Sequence, residues 1–253
     1  LGNDSLRMSV LSGDQTVNHV AIQNVSIGHA AMKHHRWGDN NIAMGYQSLM
    51  SNTTGGGTGT GDTNTISDNV SIGAKSMHDN EAGSSKNVSI GTNALTKGIN
   101  KFNVAIGYES LYRDTVSQAN TASQNVAIGA YTLTNSTDAI NNIAIGHQSL
   151  QSNLIGDYNI ALGYQALNKN ESAQDNIAIG AYTLNNSTDG DNNIAIGRNA
   201  LQTHVIGDEN IAIGFGSAHQ HRIGSQNVYI GSKSANSDTD ASQNTVVGYN
   251  SLN

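Results

Sequence analysis

Hydrophobic and polar positions follow one repeating pattern along most of the chain. A unit of the form Asn-Val/Ile-Ala/Ser-Ile-Gly recurs thirteen times, and from Gly129 onward each unit glycine follows the previous one by 17 residues. Two apolar residues flank one small residue in eleven of the thirteen units, with Tyr229 and Val246 at the middle position of the last two, and this is the alternation of a short β-strand. Self-similarity at so short a period predicts a stack of similar coils.

We therefore predict an all-β fold, a parallel β-solenoid of about 13 short coils of mostly 17 residues. The repeat covers residues 21–253, and residues 1–20 form an N-terminal lead-in or cap. About eight mostly polar residues between successive units have the composition of turns. Some coils place an Ile-Gly pair there, as at Ile155-Gly156 and Ile206-Gly207. These pairs suggest a second short strand in each coil.

An asparagine stands four residues before every unit glycine, without exception. When identical coils stack at about 4.8 Å, equivalent amides lie above one another and can form a hydrogen-bonded ladder. We predict a structural role for this column, whose members are Asn24, Asn41, Asn69, Asn87, Asn103, Asn125, Asn142, Asn159, Asn176, Asn193, Asn210, Asn227 and Asn244.

The repeat leaves the direction of several side chains open. Strand alternation places the Val and Ile of a unit on one face and the small residue between them on the other. A Leu or Met usually follows the glycine by four residues, and it shares the face of the small residue unless the chain bends at the glycine. Directly after the glycine lies an aromatic-rich column, for which inward packing is the preferred interpretation and an exposed polysaccharide-binding stripe the alternative. Its ring-bearing members are His29, Tyr46, Tyr108, His147, Tyr164, Phe215 and Tyr249.

One coil offers little apolar surface of its own, which favours association between chains. Burial of three apolar side chains per coil offsets only part of the conformational entropy that ordering 17 residues costs. The column of small residues, with a Leu that faces outward, would provide a repeated face for packing parallel chains. We expect a parallel homotrimer, and the alternative is a monomeric solenoid with a larger internal core.

The units resemble two related groups of repeats. Asn-Val-Ala-Ile-Gly at 103–107 and 125–129, with its downstream Ser-Leu or Thr-Leu, looks like the head repeat of YadA-type trimeric autotransporter adhesins. Asn-Ile-Ala-Leu-Gly-Tyr-Gln-Ala-Leu at 159–167 is similar to repeats of phage and phage-like tail fibres. The resemblance implies a left-handed β-roll, a homotrimer, and a location on a virion tail, a phage-like particle or a bacterial cell surface.

Composition and charge narrow the possible functions. Charged residues make up 12% of the chain, the net charge is −7, and the 12 Lys and Arg residues are scattered, so a nucleic-acid partner is not expected. No apolar run approaches the roughly 20 residues that span a bilayer, so we expect no membrane insertion. There is no cysteine to form a disulfide or a Cys-based metal site.

No combination of residues predicts catalysis. The Asp residues lie in turns, where Asp commonly bonds the local backbone, and the His residues lack the His-x-x-x-His spacing of a metal site. The pair in His219-Gln220-His221 and the turn carboxylates Asp157, Asp189 and Asp208 are weak metal candidates. We predict no catalytic residue, no metal site, no cofactor and no enzymatic activity.

One irregular segment in the first full coil is a candidate ligand site. Lys33, His34, His35, Arg36 and Trp37 combine the densest positive charge with the only tryptophan of the chain. Such a group suits a sugar ring or an acidic cell-surface glycan. A cap that shields the end of the stack is the alternative and the preferred interpretation.

These features together predict an extracellular structural and adhesive fibre segment. It would be a rigid trimeric β-roll that presents loops or a tip to a host cell surface and so binds a receptor there. Two alternatives differ in kind. One is a monomeric solenoid that binds a surface such as ice or polysaccharide, and the other is a tail spike that degrades polysaccharide.

Overall fold

The protein is built from strands and turns, which confirms the all-β prediction. The chain divides into two compact units, Leu1–Gln124 and Asn125–Asn253, called here the N-terminal and C-terminal units. No helix occurs in the residues that the structure describes. The computed structural model describes residues 23–33, 38–50, 66–80, 83–98, 100–112, 122–237 and 239–252. The predicted lead-in at residues 1–20 lies outside them.

Thirteen three-residue strands carry the Val/Ile-Ala/Ser-Ile pattern. In the N-terminal unit they are β1 (Val25–Ile27), β2 (Ile42–Met44), β3 (Val70–Ile72), β4 (Val88–Ile90) and β5 (Val104–Ile106). In the C-terminal unit they are β6 (Val126–Ile128), β7 (Ile143–Ile145), β8 (Ile160–Leu162), β9 (Ile177–Ile179), β10 (Ile194–Ile196), β11 (Ile211–Ile213), β12 (Val228–Ile230) and β13 (Thr245–Val247).

Within each unit the strands pair in parallel and in the order of the sequence. Equivalent residues of successive coils are partners, as Ala144 is of Ala161 in β7 and β8. The same register holds for every strand pair inside the two units. This arrangement confirms the predicted parallel β-solenoid.

The asparagine column forms an unbroken row of hydrogen bonds within each unit. The side-chain Oδ1 of each Asn accepts a bond from the backbone N–H of the next Asn, over 2.8 to 3.1 Å. The Nδ2 group usually donates to a backbone carbonyl that precedes the next strand, as Asn159 does to Ala173 at 2.8 Å. Each side chain thus ties its own coil twice to the following one.

The middle residue of each strand faces the inside of the coil. Ala144 is fully buried, whereas Ile143 and Ile145 on either side of it are 38% and 39% exposed. Leu150, four residues after Gly146, is also fully buried, so it shares the interior with the small residue. The expected intermolecular face of small residues and outward Leu is therefore wrong.

The narrowness of the coil explains this orientation. Opposite sides of a coil approach so closely that the Ser149 hydroxyl donates to the Ala161 carbonyl of the next strand at 2.9 Å. Only a small strand residue fits there beside the buried Leu, because protein interiors are close-packed. The larger Val and Ile side chains must therefore point outward.

The corner after each strand requires glycine. Gly163 has φ +144°, and a Cβ added there would lie 2.5 Å from the Gly180 carbonyl oxygen of the next coil. The turn then brings the buried leucines inward. Their φ values are 45° to 51°, a backbone conformation that residues other than glycine rarely adopt. Stacking of the coils holds these residues in that conformation.

The predicted second strand is not formed in the part of the chain that the structure describes. On that side of the coil the described residues contain isolated bridges, such as the one between Ile206 and Ile223. Ile155 is 52% exposed there, and the backbone N–H groups of Leu154 and Ile155 both donate to the Glu171 carbonyl. Because two N–H groups share one acceptor, the regular ladder of a strand is lost at this position.

Two coils near the C-terminal end have a different interior. Ala218 and Ala235 occupy the position of the buried Leu, and the inner residue of β12 between them is Tyr229 in place of Ala or Ser. Tyr229 is fully buried and meets the His221 ring edge to face at 5.6 Å. The large strand residue thus replaces the missing leucine volume.

Candidate binding surfaces

The outer surface of the strands is apolar. We call it the strand face and define it as the first and third residues of β1 to β13. These positions hold Val, Ile, Leu or Met in every strand except for Thr245, and none is charged. Its exposed apolar members are Val25, Ile27, Ile42, Met44, Ile90, Ile143, Ile145, Ile179, Ile213, Ile230 and Val247.

The aromatic column lies beside the strand face and points outward. Tyr46, Tyr108, Tyr164, Phe215 and Tyr249 are all exposed, so the preferred interpretation of inward packing is wrong. The glycine corner turns the next side chain away from an interior that the small residues and Leu already fill. These rings add to the apolar surface next to the strands.

Four rings of this region contact one another in the C-terminal unit. His147 stacks on Tyr164 with the ring centroids 5.5 Å apart and the planes within 6°. Tyr131 meets His147, and Tyr182 meets Tyr164, in edge-to-face contacts at 5.8 and 5.1 Å. Tyr131 and Tyr182 come one residue later in their coils, after Ala130 and Ala181, and so extend the row where the column has no ring.

The candidate ligand segment of the first full coil is described only at its first residue. Lys33 is exposed, and its backbone N–H donates to the Ala30 carbonyl at 3.3 Å. His34, His35, Arg36 and Trp37 lie outside the described residues. Both interpretations of this segment, ligand site and cap, stay predictions.

The weak metal candidates are not brought together. His221 is buried in the coil, whereas the partly exposed His219 bonds to Gln202 at 2.8 Å. The turn carboxylates bond the preceding coil instead, as Asp157 does by accepting from the Ile140 N–H at 2.7 Å. Among the described residues, no three His, Cys, Asp or Glu side chains are grouped so that they could hold a metal ion.

His204 and His221 form a buried stacked pair that the sequence analysis did not predict. Their ring centroids are 5.5 Å apart and their planes lie within 5°. Burial lowers the pKa of His204 to about 4, although the Gly207 carbonyl, 2.9 Å from Nε2, acts in the opposite direction. His204 is therefore uncharged at neutral pH, and the stacked pair serves packing.

A surface groove in the C-terminal unit was also missed. Its volume is about 590 Å³, and it lies between two parallel rows of side chains, the sixth and the eighth residues after the unit glycine. The sixth-position row is Lys169, Asn186, Thr203 and Gln220. The eighth-position row is Thr188, Val205, Arg222 and Thr239. Outward and inward residues alternate in these turns. A comparison of the sixth and eighth positions from one coil to the next is the sequence signal for this groove.

In comparisons with known proteins, no family model, no curated protein and no solved structure matches this chain. No helix in the described part of the chain is long and apolar enough to cross a membrane.

Proposed function

We propose that this chain is a structural and adhesive segment of an extracellular fibre, in which three parallel copies associate through their strand faces. The single observation that carries the proposal is the uncharged apolar strand face, repeated in coil after coil on the outside of the solenoid. The chain has a net charge of −7, yet no charged side chain falls on this face.

Burial of this face would be favourable and would accumulate along the chain. Full burial of a Val or Ile is worth about 1.5–3 kcal/mol, so covering the exposed two-fifths of such a residue contributes about 1 kcal/mol. The gain recurs twice in each coil. A chain that adds coils therefore adds interface in proportion, as a fibre requires.

Parallel packing is favoured by the regular register of the coils. Equivalent strand positions recur at one spacing, so a second copy in the same orientation presents the same rows at the same intervals. The resemblance to trimeric adhesin heads and tail-fibre repeats supports the count of three. Such a trimer would carry each surface site three times, and the resulting avidity suits attachment to a cell surface.

The experiment is a mass measurement of the full chain by light scattering at several concentrations. We expect three times the 26.4 kDa of one chain. Lysine at two strand-face positions, Ile145→Lys with Ile179→Lys, should reduce the mass to one chain while the circular dichroism spectrum stays that of a β-protein. Charged side chains at those positions would be buried without partners in the interface.

A matched control places the same substitution away from the strands. Ile155 and Ile206 are 52% and 47% exposed in the turns, so Ile155→Lys with Ile206→Lys should leave the trimer mass unchanged. A wild-type mass of one chain at all concentrations would contradict the proposal and favour the monomeric solenoid. If the measured mass of the assembly falls equally in both double variants, the strand face is not the interface.

A further inference from the structure

The groove of the C-terminal unit is built by strict alternation of side chains in the turns. Its two rows point outward, and in four of its coils the seventh residue after the unit glycine lies between them and points inward. Those inward residues, Asn170, Ser187, His204 and His221, are all fully buried. Because the rows stand on a regular backbone over five successive coils, from that of Lys169 to that of Thr239, the groove is a formed feature of the solenoid.

Half of the basic residues of the C-terminal unit line this groove, although the unit as a whole is acidic. Residues 125–253 contain ten acidic and only four basic residues, namely Lys169, Arg198, Arg222 and Lys233. Two of these four, Lys169 and Arg222, line the groove, and both are exposed. Within the described residues the one ion pair is that of His78 and Asp79, so no described carboxylate oxygen lies within 4.0 Å of a charged nitrogen of either groove cation.

The remaining lining residues offer hydroxyl and amide groups. Thr203 Oγ1 donates to the His219 carbonyl at 2.7 Å, and Thr188 Oγ1 donates to the Val205 carbonyl at 3.3 Å. Their oxygen lone pairs therefore remain available as acceptors. The side chains of Asn186 and Gln220 make no hydrogen bond to the described part of the protein, so they can both donate and accept.

The spacing of the two cations indicates an elongated ligand. Lys169 belongs to the first coil of the groove and Arg222 to the fourth, which separates them by about 14 Å at roughly 4.8 Å per coil. The rows run along the stacking direction, and one sugar ring is similar in length to one coil step. A saccharide chain in the groove could meet both cations with acidic groups a few rings apart.

We propose that this groove binds an acidic oligosaccharide, with Lys169 and Arg222 pairing with its carboxylate or sulfate groups and the Thr, Asn and Gln side chains bonding its hydroxyls. The volume of about 590 Å³ is in the range of small-ligand sites. A nucleic acid fits less well, because no aromatic ring lines the groove for base stacking and the unit as a whole is acidic.

This inference deepens the adhesive function proposed above and rests on it for its biological meaning. The groove lies on the turns, away from the strand face, so association of chains through that face leaves it accessible. Binding and self-association can therefore be measured separately. A variant that loses one and keeps the other identifies which of the two proposals has failed.

The test is isothermal titration of the full chain with an oligogalacturonide of six sugars and with a heparin-derived hexasaccharide. We expect binding of at least one of them, weakened more than tenfold in the Lys169→Gln with Arg222→Gln variant. The other two basic residues of the unit supply the control, and Arg198→Gln with Lys233→Gln should change the affinity less than twofold. All variants should keep the wild-type mass by light scattering.

Two further ligands separate the sources of binding. The fully methyl-esterified oligogalacturonide has the same sugars without charge and should bind at least tenfold more weakly. Inorganic sulfate alone should compete only at far higher concentration, because it meets one cation at a time. Failure of both acidic hexasaccharides to bind, equal binding of the methyl ester, or equal loss in the two double variants would each overturn the inference.

Discussion

The backbone N–H of Asn159 donates to the side-chain Oδ1 of Asn142, one coil earlier, over 2.8 Å. Asn159 in turn accepts from the Asn176 N–H at 3.0 Å and donates to the Ala173 carbonyl at 2.8 Å. One buried amide thus satisfies two backbone groups of the next coil. Because these backbone groups are buried, each would cost free energy if it had no hydrogen-bond partner. The row of asparagines stabilises the stack by supplying those partners.

Asn159→Ala should lower the free energy of unfolding by about 2–6 kcal/mol, since it abandons two buried backbone groups and each costs about 1–3 kcal/mol. Asn135 is the control, because it is exposed and its side chain makes no hydrogen bond to the described residues. Asn135→Ala should change stability by less than about 0.5 kcal/mol. Urea denaturation followed by circular dichroism measures both. Similar losses in the two variants would contradict a special role for the row.

Gly163→Ala should destabilise the coil through both its φ of +144° and the 2.5 Å approach to the Gly180 carbonyl oxygen. We expect a loss of about 2–5 kcal/mol, or failure to fold. Gly216 is the matched control, since its φ is +60° and the nearest atom to an added Cβ is Lys233 Cγ at 3.9 Å. Gly216→Gln, which introduces the residue that Gln148 and Gln165 supply in other coils, should cost no more than about 1–2 kcal/mol in the same denaturation experiment, because only the positive φ opposes it.

Tyr229→Ala should leave a cavity in the coils that lack the buried Leu, at a cost of about 3–5 kcal/mol. Adding Ala218→Leu restores the composition of an ordinary coil and should recover a large part of this loss. Tyr164→Ala, which removes an exposed ring, should have a much smaller effect. Thermal denaturation of the single and double variants gives the coupling energy. Additive effects would show that Tyr229 does not replace the leucine volume.

The folded protein should lose stability as the pH falls from about 6.5 towards 4. The pKa of His204 is lowered to about 4 from its ordinary value of 6.5, so the unfolded chain binds a proton in this interval that the folded chain does not. The shift corresponds to about 3 kcal/mol, present in full above pH 6.5. Burial is the main cause of this lowered pKa. The neighbouring His221 lowers the pKa of His204 further, whereas Asp208 raises it.

His204→Asn tests this origin, because Asn153 and Asn170 occupy the equivalent buried position in other coils. The variant should show a smaller decrease in stability between pH 6.5 and 4, measured by denaturation at a series of pH values. His147→Asn, on an exposed ring, should retain the full decrease. An unchanged pH profile in His204→Asn would assign the dependence to other groups.

The period of the repeat was sufficient to predict the solenoid, its parallel strands and the asparagine column. The side-chain directions were harder to predict, because alternation is symmetric and does not say which face of a three-residue strand is inside. Leucine at positive φ, as in Leu150, was also unexpected, since local rules reserve that conformation for Gly and Asn. The stacked coils impose it.

The binding surfaces were less predictable than the fold. The exposure of Tyr164 depends on a coil interior too narrow for any ring there, which the column of residues alone does not reveal. To predict the groove, one has to know that Lys169 and Arg222 lie on the same side of the coils. They are 53 positions apart in the sequence but only three coils apart in the stack. A residue-by-residue search for charge clusters does not find such a pair.

Each strand of a unit pairs only with its immediate neighbours in the sequence, so no contact depends on the total number of coils. A gene segment that encodes whole coils can therefore be copied or deleted by recombination, and the new junction recreates the old one. The segments that begin at Ala130 and Ala181, each followed by Tyr-Thr-Leu, have the form of such a copying event. Length is thus a trait that can evolve in whole-coil steps without a redesigned interior.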